Sequence, residues 1–303
     1  MCSSDLTKIT QKKPRPPLVD RGDWIALGLI AVLAAYVRWT WTGGFPAILH
    51  PDSDSYFEIA ARLWKSAGLG DLSRRTPLYP LLLWLTGKSG ADGFDHTLHV
   101  QHALGVGTAL LTYLTARGVL RYRVPALFAG LAVAAAPVFI LTEHSILSES
   151  LYTFLIALAG WSLLAHLAPG RYGQVGSVPW GLLCGFALGL AALTRPLGAM
   201  LFPLWAVALL PLKGWRVAWR FTWTAGALWV ITLLPLLVRN QQAVGSFSLT
   251  QSTGRNLISV TDLRVDYAAS GSLAEHPESK AVLSVYHQYL SNKRGPEIGR
   301  AHV

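Results

Sequence analysis

Charge is scarce in this sequence. Asp, Glu, Lys and Arg make up 14% of the 303 residues, against about 25% in soluble domains. Cysteine is rarer still, with two in the chain, too few for a disulfide scaffold. No GxGxxG follows a strand-like run, and GxxxxGK[ST] and GxSxG are both missing. Nothing therefore cradles a nucleotide phosphate or presents a strained serine nucleophile, and ATP-driven transport within this chain is not expected. No small-residue cleavage site follows the first apolar run, so a removable signal peptide is not expected either. Internal repeats and low-complexity segments are also lacking.

What is abundant is apolar. The residues AVILMFWYC account for 52% of the chain, and 28 residues are glycine. A single soluble domain of this size has too little interior to hide so much apolar side chain. Disorder would require more charge and less hydrophobicity. The class that remains is an all-α, polytopic membrane protein. A net charge of +10 would suit nucleic acid, but the basic residues sit in short runs between apolar segments. That is the pattern of a topology signal, so nucleic acid is not an expected partner.

Residues 1–6 and 297–303 resemble translated sequencing-adapter DNA and are set aside as scars, with Cys2 among them. Cys184 is then the one genuine cysteine, in an apolar run where it serves as inert packing. The gene is read as a C-terminally truncated fragment. Residues 7–22 form a polar, basic cytoplasmic tail. The first span is expected at 24–41, with Arg38 snorkelling at its far interface and Trp39 and Trp41 in an aromatic belt. A long outer loop, 42–97, follows. Its apolar piece at 78–85 is too short to cross ~30 Å of hydrocarbon and is read as an interfacial or re-entrant helix. Further spans are expected at 98–116, 124–141, 150–168, 179–194, 197–212 and 221–238, giving about seven in all. Arg195-Pro196 marks a hairpin tip between two short spans. From 239 to 296 the chain turns polar. With the N-terminus inside, the inner segments hold about twice the Lys and Arg of the outer ones before 239, as the positive-inside rule requires. The 42–97 loop, the 142–149 turn, Arg195 and the region after 239 then share the outer side.

Several polar groups on that side can carry chemistry. In His50-Pro-Asp52-Ser-Asp54-Ser-Tyr56, two carboxylates two residues apart can bind a divalent cation. One of them can instead act as a general base, or Asp52 or Asp54 can cap a helix beginning near Tyr56. Arg74 and Arg75, before the short apolar helix, suit phosphate recognition or lipid headgroups. Glu143-His144 and Ser148-Glu149 occupy a short turn where a carboxylate needs a cavity or a partner; the plainer reading is Ser148 as a cap with Glu149 in the first turn. Arg195 can bind phosphate or snorkel. Arg239-Asn240, with Gln251 to Asn256, can line a sugar-sized pocket. His96, His99 and His102 stand at i, i+3, i+6 and read as an interfacial polar face rather than a metal site.

The order of these pieces resembles the GT-C class of integral-membrane glycosyltransferases. Within it the match is to the bacterial branch related to protein O-mannosyltransferases and to the aminoarabinose transferase of lipid A. Asp52 followed by Tyr56 and Ala60 is similar to the Asp-x-x-x-Tyr-x-x-x-Ala motif. Arg75-Thr-Pro-Leu-Tyr79-Pro80 is similar to Arg-x-Pro-x-Tyr-Pro. Ser148-Glu149-Ser-Leu-Tyr152 is similar to the acidic second loop, and Leu190-Ala-Ala-Leu-Thr-Arg195-Pro196 to the Leu-x-Arg-Pro hairpin. The resemblance covers about 24–260 and implies an enzyme at the outer face of a bacterial inner membrane. The donor would be a sugar on polyprenyl phosphate, and the acceptor a hydroxyl of a lipid, glycan or protein. It implies Asp52 as an inverting general base. Arg75 and Arg195 would hold the lipid phosphate, and Glu149 would orient the acceptor or help hold a cation. Asp54, Tyr56, Tyr79 and Arg239 complete the implied substrate-binding set. The resemblance assigns no definite cofactor, and Asp52 and Asp54 are compatible with a divalent cation. Thr76 stands where the aminoarabinose branch uses Lys, which argues against that branch. The rival readings are a lipid-linked-glycan flippase, which needs paired charges lining a pathway, and a structural envelope subunit.

Overall fold

The computed structural model describes residues 19–65, 68, 75–87, 94–120, 122–167 and 178–250. The adapter-like ends, most of the N-terminal tail, Arg74 and the segment from Gln251 onward lie outside the described residues. Those described form ten α-helices and no strand. In chain order these are α1 (Arg21–Gly44), α2 (Ser53–Trp64), α3 (Leu78–Thr86), α4 (Asp95–Val119), α5 (Arg123–Ala135), α6 (Pro137–His144), α7 (Glu149–Leu167), α8 (Val178–Thr194), α9 (Gly198–Lys213) and α10 (Trp215–Val244).

Every expected span falls on a helix. By length and apolarity, α1, α7 and α10 can each cross a membrane alone. A fourth crossing arises if α5 and α6, bent by 42° at the break before Pro137, count as one broken span. Proline explains that break, because Pro137 cannot donate to the helix behind it. α4 has 25 residues but carries Asp95, three histidines and Gln101. α8 and α9 are apolar but have 17 and 16 residues. Among the described residues, length and apolarity therefore support three or four crossings, fewer than the seven expected.

The helices pack as a chain of neighbours. α1 lies against α4 and α5, α4 against α7, α7 against α8, and α8 against α9 and α10. Small residues set these distances. A Cβ on Gly185 would come within 1.9 Å of the Ala225 carbonyl oxygen across the α8–α10 seam. The obstacle is backbone and cannot swing away, so Gly185→Ala is expected to lower stability by roughly 1–3 kcal/mol, read by thermal unfolding in detergent. Cys184, beside it, is buried in the same seam, as expected of packing. Large apolar side chains point outward instead, among them Val32, Trp39, Phe128, Val207 and Ile231. An apolar exterior around a packed interior suits a lipid solvent.

Two clusters of charge mark opposite ends of the bundle. Where α1 begins, Asp20 and Asp23 close a capping box. The Asp23 carboxylate accepts from Tyr113 at 2.6 Å, Arg117 at 2.9 Å and Arg123 at 3.1 Å. Two cations read as topology signals thus also tie α4 and α5 to α1. The candidate site lies at the other end.

Two expectations need correction. Arg38 does not snorkel. It is 2% exposed and grips Glu143 through Nε at 2.7 Å and Nη2 at 2.6 Å. Its Nη1 donates to the Ala134 carbonyl at 2.9 Å. A buried carboxylate within reach outweighs the route to water, because desolvated guanidinium and carboxylate compensate each other. His96, His99 and His102 do not share an interfacial role either. His96 and His99 are exposed, whereas His102 is buried against Glu143.

Candidate active site

Four segments far apart in sequence meet at the outer-loop end of the bundle. The chain leaves α1 and runs beside the segment after α6. Ile48 N–H donates to the His144 carbonyl at 3.1 Å, and Ile146 N–H returns to Ile48 at 3.0 Å. Ser53 fastens the start of α2 to the same place, donating its hydroxyl to the Ile146 carbonyl at 2.9 Å. These bonds fix the approach to Asp52.

Asp52 occupies the N-cap position of α2 but makes no capping bond. Its Oδ1 instead meets Arg75 Nη2 at 2.6 Å, with 66% of the Asp52 side chain exposed. Arg75 Nε donates to Ser55 at 2.8 Å. The guanidinium carbon sits 4.7 Å above the Tyr56 ring, a cation–π arrangement that holds the fork in place. Tyr56 reaches the next segment, its hydroxyl 3.0 Å from Ser148 Oγ. Glu149 follows and pairs through Oε1 with Arg195 Nη1. Thr76 closes the ring, donating to the Thr194 carbonyl at 2.7 Å. Asp52, Tyr56, Arg75, Glu149 and Arg195 are thereby linked through consecutive contacts and shared neighbours.

Beneath them lies an aromatic floor. Tyr79 is fully buried, edge-on to Tyr56 at 4.9 Å, and donates to Gln101 at 2.7 Å. Burial, then neighbouring Tyr56 and Glu149, hold its hydroxyl well above the usual phenol range, so it serves as a neutral donor. Gln101 passes the connection on to the Glu143 and Ser145 carbonyls at 2.7 and 2.8 Å. Glu149 Oε2 is buried and, among the described residues, has no hydrogen-bond partner.

The remaining candidates are less engaged. Asp54 stands exposed in the first turn of α2. Arg239 comes to this end of the bundle on α10, where Leu236 packs on Ile59 of α2, and bonds Asn240 at 3.1 Å. Among the described residues, no three His, Cys, Asp or Glu come together in a way that would hold a metal ion. Gln251 to Asn256 lie outside the described residues. The sequence reading passed over Ser55 and Gln101, because one hydroxyl in a polar loop, or one amide at the start of an apolar span, carries no signal. It also missed the Arg38–Glu143 pair, although an arginine inside an apolar run already demands a partner.

The carboxylates and guanidiniums stand opposite one another beside exposed apolar helices, which suits an anionic substrate delivered from the membrane. The profile of the dolichyl-phosphate-mannose-protein mannosyltransferase family matches residues 76–240. The fold is similar to that of the S. cerevisiae protein O-mannosyltransferase Pmt1-Pmt2 complex bound to the sugar donor, with a TM-score of 0.58 and 19% sequence identity. That similarity covers 76% of this chain and 34% of the yeast one, so the chain spans about a third of its length. No curated protein matches the sequence. With the family profile covering more than half of its residues, the chain belongs to the dolichyl-phosphate-mannose-protein mannosyltransferase family.

Proposed function

We propose that this chain carries the donor and catalytic segments of a membrane glycosyltransferase that moves a sugar from a polyprenyl-phosphate donor to an acceptor hydroxyl. The observation that carries this reading is the linked arrangement of Asp52–Arg75 and Glu149–Arg195, built from all four motif segments. Asp52 Oδ takes the acceptor proton as the acceptor oxygen attacks the anomeric carbon. The bond from that carbon to the phosphate oxygen breaks, and the configuration inverts. The phosphate leaves with the electron pair, and Arg75 and Arg195 face the growing charge from fixed positions. Glu149 Oε2 accepts from a hydroxyl of the acceptor, which satisfies its buried lone pairs.

The proposed setting is the outer face of a bacterial inner membrane, with the N-terminus inside. The acceptor is a lipid, a glycan or a protein. Seven crossings suit this topology if α4, α8 and α9 also cross, helped by the outward apolar side chains of α9 such as Met200 and Val207. The proposed steps route nothing through a metal, and among the described residues no third His, Cys, Asp or Glu joins Asp52 and Asp54. Asp52 is turned to Arg75, and Asp54 is exposed on the same helix. The flippase reading asked for paired charges inside the bundle, and Arg38–Glu143 is one. The pair is buried, at 3% and 4% side-chain exposure, and ties α1 to α6 as one structural contact.

The test is release of polyprenyl phosphate by the purified protein, given polyprenyl-phosphate sugars and a mixed acceptor pool, with and without chelator. Release that survives chelation and depends on Asp52 supports the proposal; no release from any donor by folded protein overturns it. Arg75→Ala and Arg195→Ala are each expected to slow release about 100-fold, in the range of losing one charge-stabilising donor. Because Arg195 stands at a hairpin tip, its loss should leave the unfolding midpoint nearly unchanged.

A further inference from the structure

Behind the candidate site, three contacts in series join α4, α6 and the outer loop. His102 Nδ1 lies 3.0 Å from Glu143 Oε2. His102 Nε2 lies 3.1 Å from His144 Nδ1. His144 Nε2 lies 3.0 Å from the Phe45 and Pro46 carbonyl oxygens. All three side chains are buried, at 5%, 3% and 0% exposure for His102, Glu143 and His144. A Cβ on Gly105 would meet Glu143 Oε1 at 1.9 Å, so α4 makes room for this carboxylate with a residue that has no side chain.

Proton counting constrains the series. A carbonyl oxygen only accepts, so His144 Nε2 carries a proton. The contact between the two imidazoles needs one proton, and the contact with Glu143 needs another. Three contacts thus need three protons. Two neutral imidazoles beside an ionised carboxylate supply only two. With two, one contact sets a lone pair against a lone pair in a buried site, which is costly.

We propose that His102 and His144 are positioning residues that hold the outer loop leading to Asp52, and that they do so with His102 carrying a proton on both ring nitrogens, one toward Glu143 and one toward His144. Arg38 supplies the opposing charge that keeps Glu143 in place, from α1. His99 lines a groove together with Arg38 and His102, and Asp95 lines a second groove with His99. Without the extra proton one contact opens, and the loop over 45–50 loosens where it pairs with 144–146. The catalytic consequence rests on the reading of Asp52 as the base. The structural consequence does not.

The experiment has two arms on the full chain in detergent. In the first, 15N-histidine NMR counts ring protons on His102 and His144 at mildly acid pH. Three are expected; two would overturn the proposal. In the second, hydrogen exchange at the Ile48 and Ile146 amides is followed to alkaline pH and corrected for intrinsic rates. Protection is expected to fall roughly tenfold, as loss of one buried hydrogen bond would give, and the drop is expected to vanish in His102→Gln. A pH-independent protection in wild type would overturn the proposal. If polyprenyl phosphate release is measurable, its alkaline limb should shift in His102→Gln. Absence of release under every condition would count against Asp52 chemistry and leave both structural arms standing. If His102→Gln does not fold, the proton count and the wild-type exchange profile still decide.

Discussion

Asp52→Asn is expected to slow sugar transfer by about a thousandfold while leaving the fold intact, within the range that general-base removal gives. The structural cost is small for a definite reason. The Asp52 side chain is 66% exposed, makes no capping bond and, among the described residues, has a single ion pair, to Arg75. An exposed pair of this kind contributes at most about 1 kcal/mol. Arg75 keeps its bond to Ser55 and its seat above Tyr56, so the phosphate-facing group stays in place. The expected signature is therefore a large fall in the rate of polyprenyl phosphate release with an unfolding midpoint close to wild type. Asp54→Asn is the matching control. It alters a carboxylate on the same helix that is turned to solvent. If both substitutions abolish release and added divalent cation restores it, the two carboxylates act as a metal pair and the base assignment fails. If neither affects release, the site lies elsewhere. If transfer is lost only because the protein unfolds, the residue is structural after all.

Arg38→Met is expected to destabilise the protein by about 3–5 kcal/mol, the cost of leaving a buried carboxylate uncompensated. Glu143 is 3% exposed, and it lies where the α4 backbone comes closest, against Gly105. A water in place of the guanidinium would bring no charge to compensate the carboxylate. The double variant Arg38→Met/Glu143→Leu removes both charges. It should recover more than half of the loss, because apolar groups of similar size commonly do as well as a buried ion pair. Unfolding by denaturant in detergent, across the two singles and the double, measures this directly. A cost below about 1 kcal/mol for Arg38→Met would mean that the side chain reaches water after all. The same variant should also weaken sugar transfer, since Glu143 and its neighbours hold the loop that ends in Asp52.

Much of this molecule was legible from local rules. Apolar runs of span length became helices, because a chain in lipid must satisfy its own backbone. Arg195-Pro196 became a hairpin tip, with Gly198 N–H bonded to the Arg195 carbonyl at 2.9 Å. Proline stops a helix from within its own turn, so no distant partner was needed. The short apolar piece at 78–85 became α3, and its Tyr79 and Leu83 turned into the bundle. The four motif segments came to one end because each lies at the same end of a helix that alternates in direction.

Direction and partnership were decided elsewhere. Asp52 was equally suited to capping its helix or to leaving it, and the choice fell to Arg75, brought in from another segment of the loop. Arg38 found Glu143 across 105 residues, and His102 turned inward while its neighbours at i−3 and i−6 stayed exposed. The physical reason is reach. Helix length, hairpin tips and caps follow from groups within a turn or two of one another, and the order of residues contains them. Whether a charge snorkels, pairs or caps depends on which side chains the packed helices set within about 3 Å of it. That was fixed only when α1, α4 and α6 closed around one carboxylate.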